Sequence, residues 1–254
     1  MRLDIALVKN GYVDSRQKAS EAIKAGFVSV DFATITKPAF EVGQDTKITL
    51  SDDKIYVSRS ALKLKGFLQD LGVGSDFGSG KKAIDVGASR GGFSEVLLEF
   101  GFERIFCVDV GSNQLHSKLR QNPRIQCVEN CDIRDFATRY NAKSCINDFS
   151  TQSKPFDLLV CDVSFIGLDK ILDSLENLSD EMILLYKPQF EVGKDARRNK
   201  KGVLLQSKID DKIQQNLEAF SKNLAQKGFC IMRIAKSHIK GKEGNEEFFI
   251  HTKK

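Results

Sequence analysis

Between Lys81 and Val110 the chain reads KKAIDV, GASRGG, FSEVLLEFG and RIFCVDV. A short apolar run, a glycine-rich turn, a helix-periodic segment and a second apolar run are the parts of a βαβ unit. Such a unit admits only parallel strands joined by a right-handed crossover, so the surrounding chain must build a parallel sheet covered on both faces. The pattern continues in RIQCVEN, DLLVCDV and MILLY as further strands and in KIDDKIQQNLEAFSKNLAQKG as a helix. CIMRIAK and EEFFIHTK are expected to close the edge as an antiparallel hairpin. The fold class is therefore α/β, with a Rossmann-like, doubly wound sheet. The polar stretch ATRYNAKSCINDFSTQSKP breaks the alternation and is expected to be a surface loop.

The first fifty residues follow a different pattern. DSRQKASEAIKAG predicts one short helix, with Asp14 or Ser15 as its cap, Ala19, Ala22 and Ile23 as its apolar stripe and Gly26 as its stop. Leu3, Leu7 and Val8 supply an earlier apolar face that ends at Gly11. FVSVDF and ITL read as strands. A length of 254 residues exceeds the usual single domain of roughly 100 to 200, so two unequal domains are expected. We place a small α+β module at 1–50, a linker at 51–60 and the α/β domain at 61–254.

Composition excludes more than it identifies. The chain has no run approaching the roughly 18 apolar residues of a membrane span, and Asp4 and Lys9 interrupt any N-terminal signal, so stable membrane insertion is not expected. The six cysteines form no CxxC pair and no metal-ligand cluster is visible, which fits reduced thiols in a cytoplasm. A formal net charge of +5 favours a polyanionic partner only mildly. Residues 1–60 hold nine Lys and Arg against eight Asp and Glu, so charge alone does not identify RNA.

The turn DVGASRGGF places one glycine where the chain bends off its strand and two more where a ligand or helix approaches the backbone. Asp109, at the end of the next strand, stands where an acidic side chain accepts hydrogen bonds from a ribose diol. NAD and S-adenosylmethionine both satisfy that geometry. The turn is not GxGxxG, however, and DxGxxxGGF resembles the cofactor motif of FtsJ-like methyltransferases. That resemblance implies S-adenosylmethionine. It places methionine-side contacts on Asp85, Gly87, Ser89, Gly91, Gly92 and Phe93, the ribose contact on Asp109 and an adenine-side contact near Asp132.

Four further segments, VSRSALKL, VCDVSFIGL, YKPQFEVGK and KGKEGNEEFF, together resemble the TlyA family, and the likeness runs along the whole chain. Asp162 follows one apolar strand and Lys187 ends another, so both should emerge at the carboxyl edge of the sheet, where α/β proteins bind ligands. The resemblance implies a Lys-Asp-Lys-Glu tetrad around a ribose hydroxyl, here Lys63, Asp162, Lys187 and Glu247. A ribose hydroxyl is a poor nucleophile that must lose its proton as it attacks, and lysine assists by taking part in that transfer or by stabilising the developing oxyanion. Which lysine acts as base is left open by the residues alone. The stretch GKDARRNKKG, with Lys194, Arg197, Arg198, Lys200 and Lys201, suits either a phosphate grip or a solvated loop.

The N-terminal segment from Arg2 to Leu50 resembles the αL RNA-binding module first described in a small-subunit ribosomal protein. The resemblance places Arg2, Arg16 and Lys37 on an RNA backbone, with Gln17 adding a polar contact. Shorter TlyA relatives are associated with 2′-O-methylation of a cytidine in large-subunit ribosomal RNA, and longer ones also with small-subunit RNA. This chain resembles the shorter type, whose implied partner is the large subunit. Some TlyA relatives have also been called haemolysins, but no long cationic amphipathic helix supports membrane damage. A noncatalytic ribosome-assembly factor is the other alternative, and the intact tetrad and glycine turn argue against it.

Overall fold

A computed structural model describes residues 1–24, 27–31, 33–43, 46–50, 56–141, 154–191, 209–241 and 244–254. The chain divides into two compact units, Met1–Arg59 and Ser60–Lys254.

In the first unit, helices α1 (Leu3–Lys9) and α2 (Arg16–Lys24) pack on an antiparallel sheet of β1 (Val28–Val30), β2 (Ala33–Thr34) and β3 (Ile48–Leu50), ordered β2-β1-β3. Leu3, Ala6 and Leu7 on α1 and Ala19, Ala22 and Ile23 on α2 recur three and four residues apart, so each helix turns one apolar stripe inward. Val28 and Val30, two apart on β1, meet those stripes in a single buried core with Val13 and Val42. Ser15 caps α2, its Oγ accepting a hydrogen bond from Lys18 N at 3.3 Å. Gly26 lies outside the described residues. The turn after β1 uses Asp31 in the left-handed region at φ 48°, held by Lys47 N donating to its Oδ1 at 3.0 Å. An aspartate tolerates that conformation because its short side chain bonds locally. Residues 51–55 of the expected linker lie outside the described residues, and Tyr56 and Val57 beyond them are buried.

The second unit opens with α3 (Ser60–Asp70) and continues through β4 (Lys82–Val86), α4 (Gly92–Glu99), β5 (Arg104–Val108), α5 (Ser117–Arg120), β6 (Ile125–Val128), α6 (Ile133–Asn141) and β7 (Leu158–Cys161). After a 3₁₀ turn at Leu168–Lys170 come α7 (Leu172–Leu175), β8 (Glu181–Tyr186), α8 (Pro188–Glu191), α9 (Ile209–Gln226), β9 (Cys230–Lys236) and β10 (Phe248–Lys253). The seven strands order as β6-β5-β4-β7-β8-β10-β9, parallel except for β10, which runs antiparallel between β8 and β9. The hairpin therefore closes the sheet with its second strand inside. The expected polar loop begins as helix instead: Ala137 to Asn141 complete α6, because Ile133, Phe136 and Ala137 form a buried stripe on the core. Residues 142–153 of that stretch lie outside the described residues.

Alternation along the strands separates two cores. Ile84, Val86, Phe106, Leu159, Leu184 and Ile250 face α6, α7 and α9. On the opposite face Phe249 of β10 stacks on Phe67 of α3 with centroids 4.6 Å apart and lies 6.1 Å from Phe93 of α4. These rings pin α3, and with it Lys63, to the sheet. Phe249→Ala should destabilise the protein by about 3–5 kcal/mol through lost burial and the cavity left behind, measurable as a lowered urea midpoint at unchanged slope.

Candidate active site

Strand order reverses at β4. From there the chain steps outward to β5 and β6, then returns to place β7 on the other side, and the loops above β4, β5 and β7 part to leave a crevice. A cleft of about 350 Å3 occupies that position, lined by Val86, Gly87 and Ser89 after β4, by Val108, Asp109, Val110 and Gln114 after β5, and by Asp162 to Ile166 after β7. Cys131, Asp132, Ile133 and Ile171 complete its wall.

The glycine turn is shaped by its neighbours. Gly87 adopts φ +79°, and a Cβ there would stand 2.8 Å from the backbone oxygen of Asp162. Its smallness thus lets the β4 turn touch the β7 turn. Ser89, at φ 46°, donates its N–H to Asp109 Oδ2 at 2.8 Å, and Gly111 N donates to Oδ1 at 2.7 Å. Gly91 starts α4 in the left-handed region at φ 91°, against Leu115 and Leu119, while Phe93 is buried on Phe249. Of the eight residues marked for a cofactor, Gly87, Ser89, Asp109 and Asp132 line the cleft, and Asp85, Gly91, Gly92 and Phe93 build the turn from behind.

Asp85 is fully buried at the end of β4, its Oδ2 accepting from Ser94 N at 2.9 Å and Ser94 Oγ at 2.6 Å. Its Oδ1 is buried without a hydrogen-bond partner. Burial pushes this carboxyl up to about 7, against the pull of the Ser94 bonds, and the nearby Asp162 and Asp109 carboxylates add to the rise. Asp132 caps α6, accepting Arg134 N at 2.9 Å while pairing with the same residue's guanidinium at 2.6 Å.

A carboxylate that the sequence did not mark organises the loop after β5. Glu129 Oε1 accepts Gln114 N at 2.8 Å and Leu115 N at 3.0 Å, and its Oε2 accepts Asn113 N at 2.9 Å and Arg120 Nη2 at 2.8 Å. The Leu115 backbone bond, the Arg120 guanidinium and two further N–H groups hold it down at about 2. Nothing in VEN distinguishes this glutamate from a solvated one.

The four tetrad positions form two ion pairs, one buried on both sides and one in which Lys187 is buried and Asp162 partly exposed. Lys63 Nζ lies 2.6 Å from Glu247 Oε2, and Lys187 Nζ lies 2.5 Å from Asp162 Oδ1 and 2.9 Å from Ser164 Oγ. Phe248 pairs with Tyr186 across β10 and β8, so the next facing positions are Glu247 and Lys187, which sets the two ion pairs at neighbouring strand ends. Asp162 and Ser164 also line the cleft, which puts Lys187 behind its wall. Ser164 stands inside VCDVSFIGL, yet its role follows only from the fold. Beside it Phe165 is 92% exposed at φ 69°, its ring 5.5 Å from Phe190. Lys194, Arg197, Arg198, Lys200 and Lys201 lie outside the described residues.

In the first unit Arg2 and Arg16 meet on one carboxylate. Arg2 Nε and Nη2 each stand 3.0 Å from the oxygens of Asp4, and Arg16 Nη2 stands 3.1 Å from its Oδ2. Lys37 is exposed on a turn that the α1 backbone holds, Leu3 N donating to Phe40 O at 2.7 Å and Asp4 N to Pro38 O at 3.1 Å. Gln17 donates to Glu21 one helical turn on, at 3.2 Å.

Strand order, the inserted antiparallel β10 and a cleft above β4 and β5 define the class: a Rossmann-like class I methyltransferase unit preceded by a small α+β module. Residues 56–254 match the profile of the FtsJ-like methyltransferases and residues 1–48 that of the S4 domain, so the chain belongs to the FtsJ-like methyltransferase family. It is 39% identical over 271 residues to the 23S rRNA (cytidine-2′-O)-methyltransferase TlyA of Campylobacter jejuni, covering 99% of this chain and 98% of that one. The 16S/23S rRNA (cytidine-2′-O)-methyltransferase TlyA of Mycobacterium tuberculosis is 34% identical over 98% of this chain and 88% of its own. A solved Streptococcus thermophilus structure described as a candidate hemolysin superposes with a TM-score of 0.64 at 32% identity, covering 100% of this chain and 88% of that one. Among the described residues no helix is long and apolar enough to cross a membrane.

The two perturbed carboxyls predict opposite pH behaviour. Glu129, lowered from 4.5 to about 2, contributes stability that is present above pH 4.5 and lost as pH falls toward 2. Asp85, raised from 3.8 to about 7, contributes stability that is present below pH 3.8 and lost as pH rises through 7. Urea midpoints across pH should therefore show a shallower acid limb in Glu129→Gln, and in Asp85→Asn a smaller decline between pH 4 and 8.

Proposed function

We propose that the chain transfers a methyl group from S-adenosylmethionine to the 2′-oxygen of a cytidine ribose in ribosomal RNA of the large subunit, within a cytoplasm. The observation that carries this reading is a pair of lysine–carboxylate contacts at neighbouring strand ends, one of them, Lys187–Asp162, reaching the cleft through Asp162. Buried ion pairs are a poor route to stability, since desolvation offsets most of their attraction, so their concentration at neighbouring strand ends points to chemistry. The names of the Campylobacter and Mycobacterium relatives support the nucleotide and the reaction.

The cleft suits the cofactor in the chemistry of its donors. Asp109 offers a carboxylate for a ribose diol, and Val108, Val110 and Ile133 form apolar walls for a purine. Gly87 and Ser89 leave the backbone accessible toward the amino-acid end, and the unpartnered Oδ1 of Asp85 is an acceptor buried behind them. Bound there, S-adenosylmethionine supplies an electrophilic methyl group on a sulfonium.

The residues of the chain serve the nucleophile. Lys187, oriented by Asp162 and Ser164, has two of its three N–H bonds committed and keeps the third for an incoming 2′-hydroxyl, steadying the negative charge that grows on its oxygen as the O–C bond forms, the S–C bond breaks and the hydroxyl proton passes to solvent water. Lys63 and Glu247 complete the electrostatic balance around it. A target within structured RNA must leave its stack to reach the cleft, and the exposed Phe165 ring on the rim is a platform for a base that has done so. Arg2, Arg16 and Lys37 grip the RNA backbone, with Gln17 beside them, and supply affinity without reading sequence.

Lys187→Ala should lower kcat by at least about a hundredfold while leaving cofactor and RNA affinity near normal. Lys187→Arg should fail as well, because a planar fork cannot place a single point charge in the pocket shaped for an ammonium. Tritiated methyl transfer to ribosomal RNA, followed by alkaline hydrolysis, checks both: the product resists cleavage at the modified nucleotide because its 2′-oxygen is blocked. Label recovered on a base, or near-normal turnover in either variant, overturns the mechanism.

A further inference from the structure

The carboxylate between the two guanidiniums carries an inference of its own, which rests on reading Arg2 and Arg16 as phosphate contacts. We propose that Asp4 is the positioning residue of the RNA-binding module, a buried acid that raises RNA affinity by fixing two arginines in their binding geometry. The acid is out of place by charge. A carboxylate within a cationic face repels phosphate, and on electrostatics alone its removal strengthens RNA binding.

Its surroundings show what it does. The Asp4 side chain is only 5% exposed, whereas those of Arg2 and Arg16 are 46% and 59% exposed. Asp4 takes two N–H donors from Arg2 and one from Arg16, out of five on each guanidinium, leaving most of both forks for a ligand. Two rotamer-rich side chains, one from the cap of α1 and one from the first turn of α2, are thereby ordered before RNA arrives, which removes an entropic cost from binding. The backbone N–H of Asp4 also holds the turn that follows Lys37, so the third cation is anchored to the same residue. The two guanidiniums in turn hold the Asp4 carboxyl below the ordinary carboxylate range, consistent with an anion kept charged by its partners.

The sign of one substitution decides between positioning and simple repulsion. Asp4→Asn in the full-length protein should bind a large-subunit ribosomal RNA transcript about tenfold more weakly, with kcat at saturating RNA retained and a salt slope close to that of the unaltered protein. Arg2→Ala/Arg16→Ala should be weaker with a slope shallower by about two, for two lost phosphate contacts. Adding Asp4→Asn to that double variant should cause no further loss, because the side chains through which Asp4 acts are gone. Unchanged or tighter RNA binding by Asp4→Asn overturns the proposal, as does an equal loss in the double-variant background, which marks a general folding defect. Normal RNA binding by Arg2→Ala/Arg16→Ala would instead overturn the underlying assignment of the two arginines.

Discussion

The close approach of the β4 and β7 turns is the constraint from which the catalytic unit is built. Gly87 sits against the backbone oxygen of Asp162 with no room for a Cβ, and Asp162 N donates to Val86 O at 3.0 Å. One wall of the cleft and the acid that orients Lys187 are therefore parts of a single contact. The glycine pattern is often read as a ligand cradle. Here its first member serves equally to join two strands' ends, and Gly91 serves the packing of α4 against Leu115 and Leu119.

Carboxylates divide the work by how they are partnered. Asp85, buried with one oxygen unsatisfied, is pushed up to about 7, whereas Glu129, crowded by N–H donors, is held down at about 2. Asp109 and Asp132 stand at the cleft surface, both tied to backbone N–H groups. Four acids within one sheet edge thus differ in accessibility and charge because of the donors each fold position supplies, not because of residue type. Asp4 does the corresponding work in the first unit, where burial and two guanidiniums turn an acid into a support for cations.

Much of the fold was legible because parallel strands buried on both faces must read as continuous apolar runs, and KAIDV, RIFCV, LLVC and MILLY do. The α2 cap and stripe were legible for a similar reason, since Ser15 and the spacing of Ala19, Ala22 and Ile23 are local signals. Helix α6 was hidden because three buried residues, Ile133, Phe136 and Ala137, stand among charges and run into a polar tail. Helices α5, α7 and α8 have only four residues each, too few for periodicity to register. At the site, resemblance picked out Lys63, Asp162, Lys187 and Glu247, but spacing could not pair them. Pairing depends on strand register, and the register of β10 against β8 is a property of the closed sheet. Glu129 and Ser164 escaped notice because a carboxylate or hydroxyl gains its role from donors that are remote in the chain, and Asp4 was read only as a charge, since its link to Arg16 depends on how the two helices pack.

Lys63 and Glu247 are separated by 184 positions, and their contact waits on β10 finding its place between β8 and β9. Closing so long a loop is among the slower events in folding, since little is gained until the ends have met. A chain that has formed the cofactor cleft from β4 and β5 still lacks the acid that balances Lys63, and its ammonium remains in water. The Lys63–Glu247 pair therefore exists only where β10 has docked on β8. Opening of the β10 edge alone would thus separate Lys63 from Glu247 while leaving the β4 to β5 part of the sheet paired.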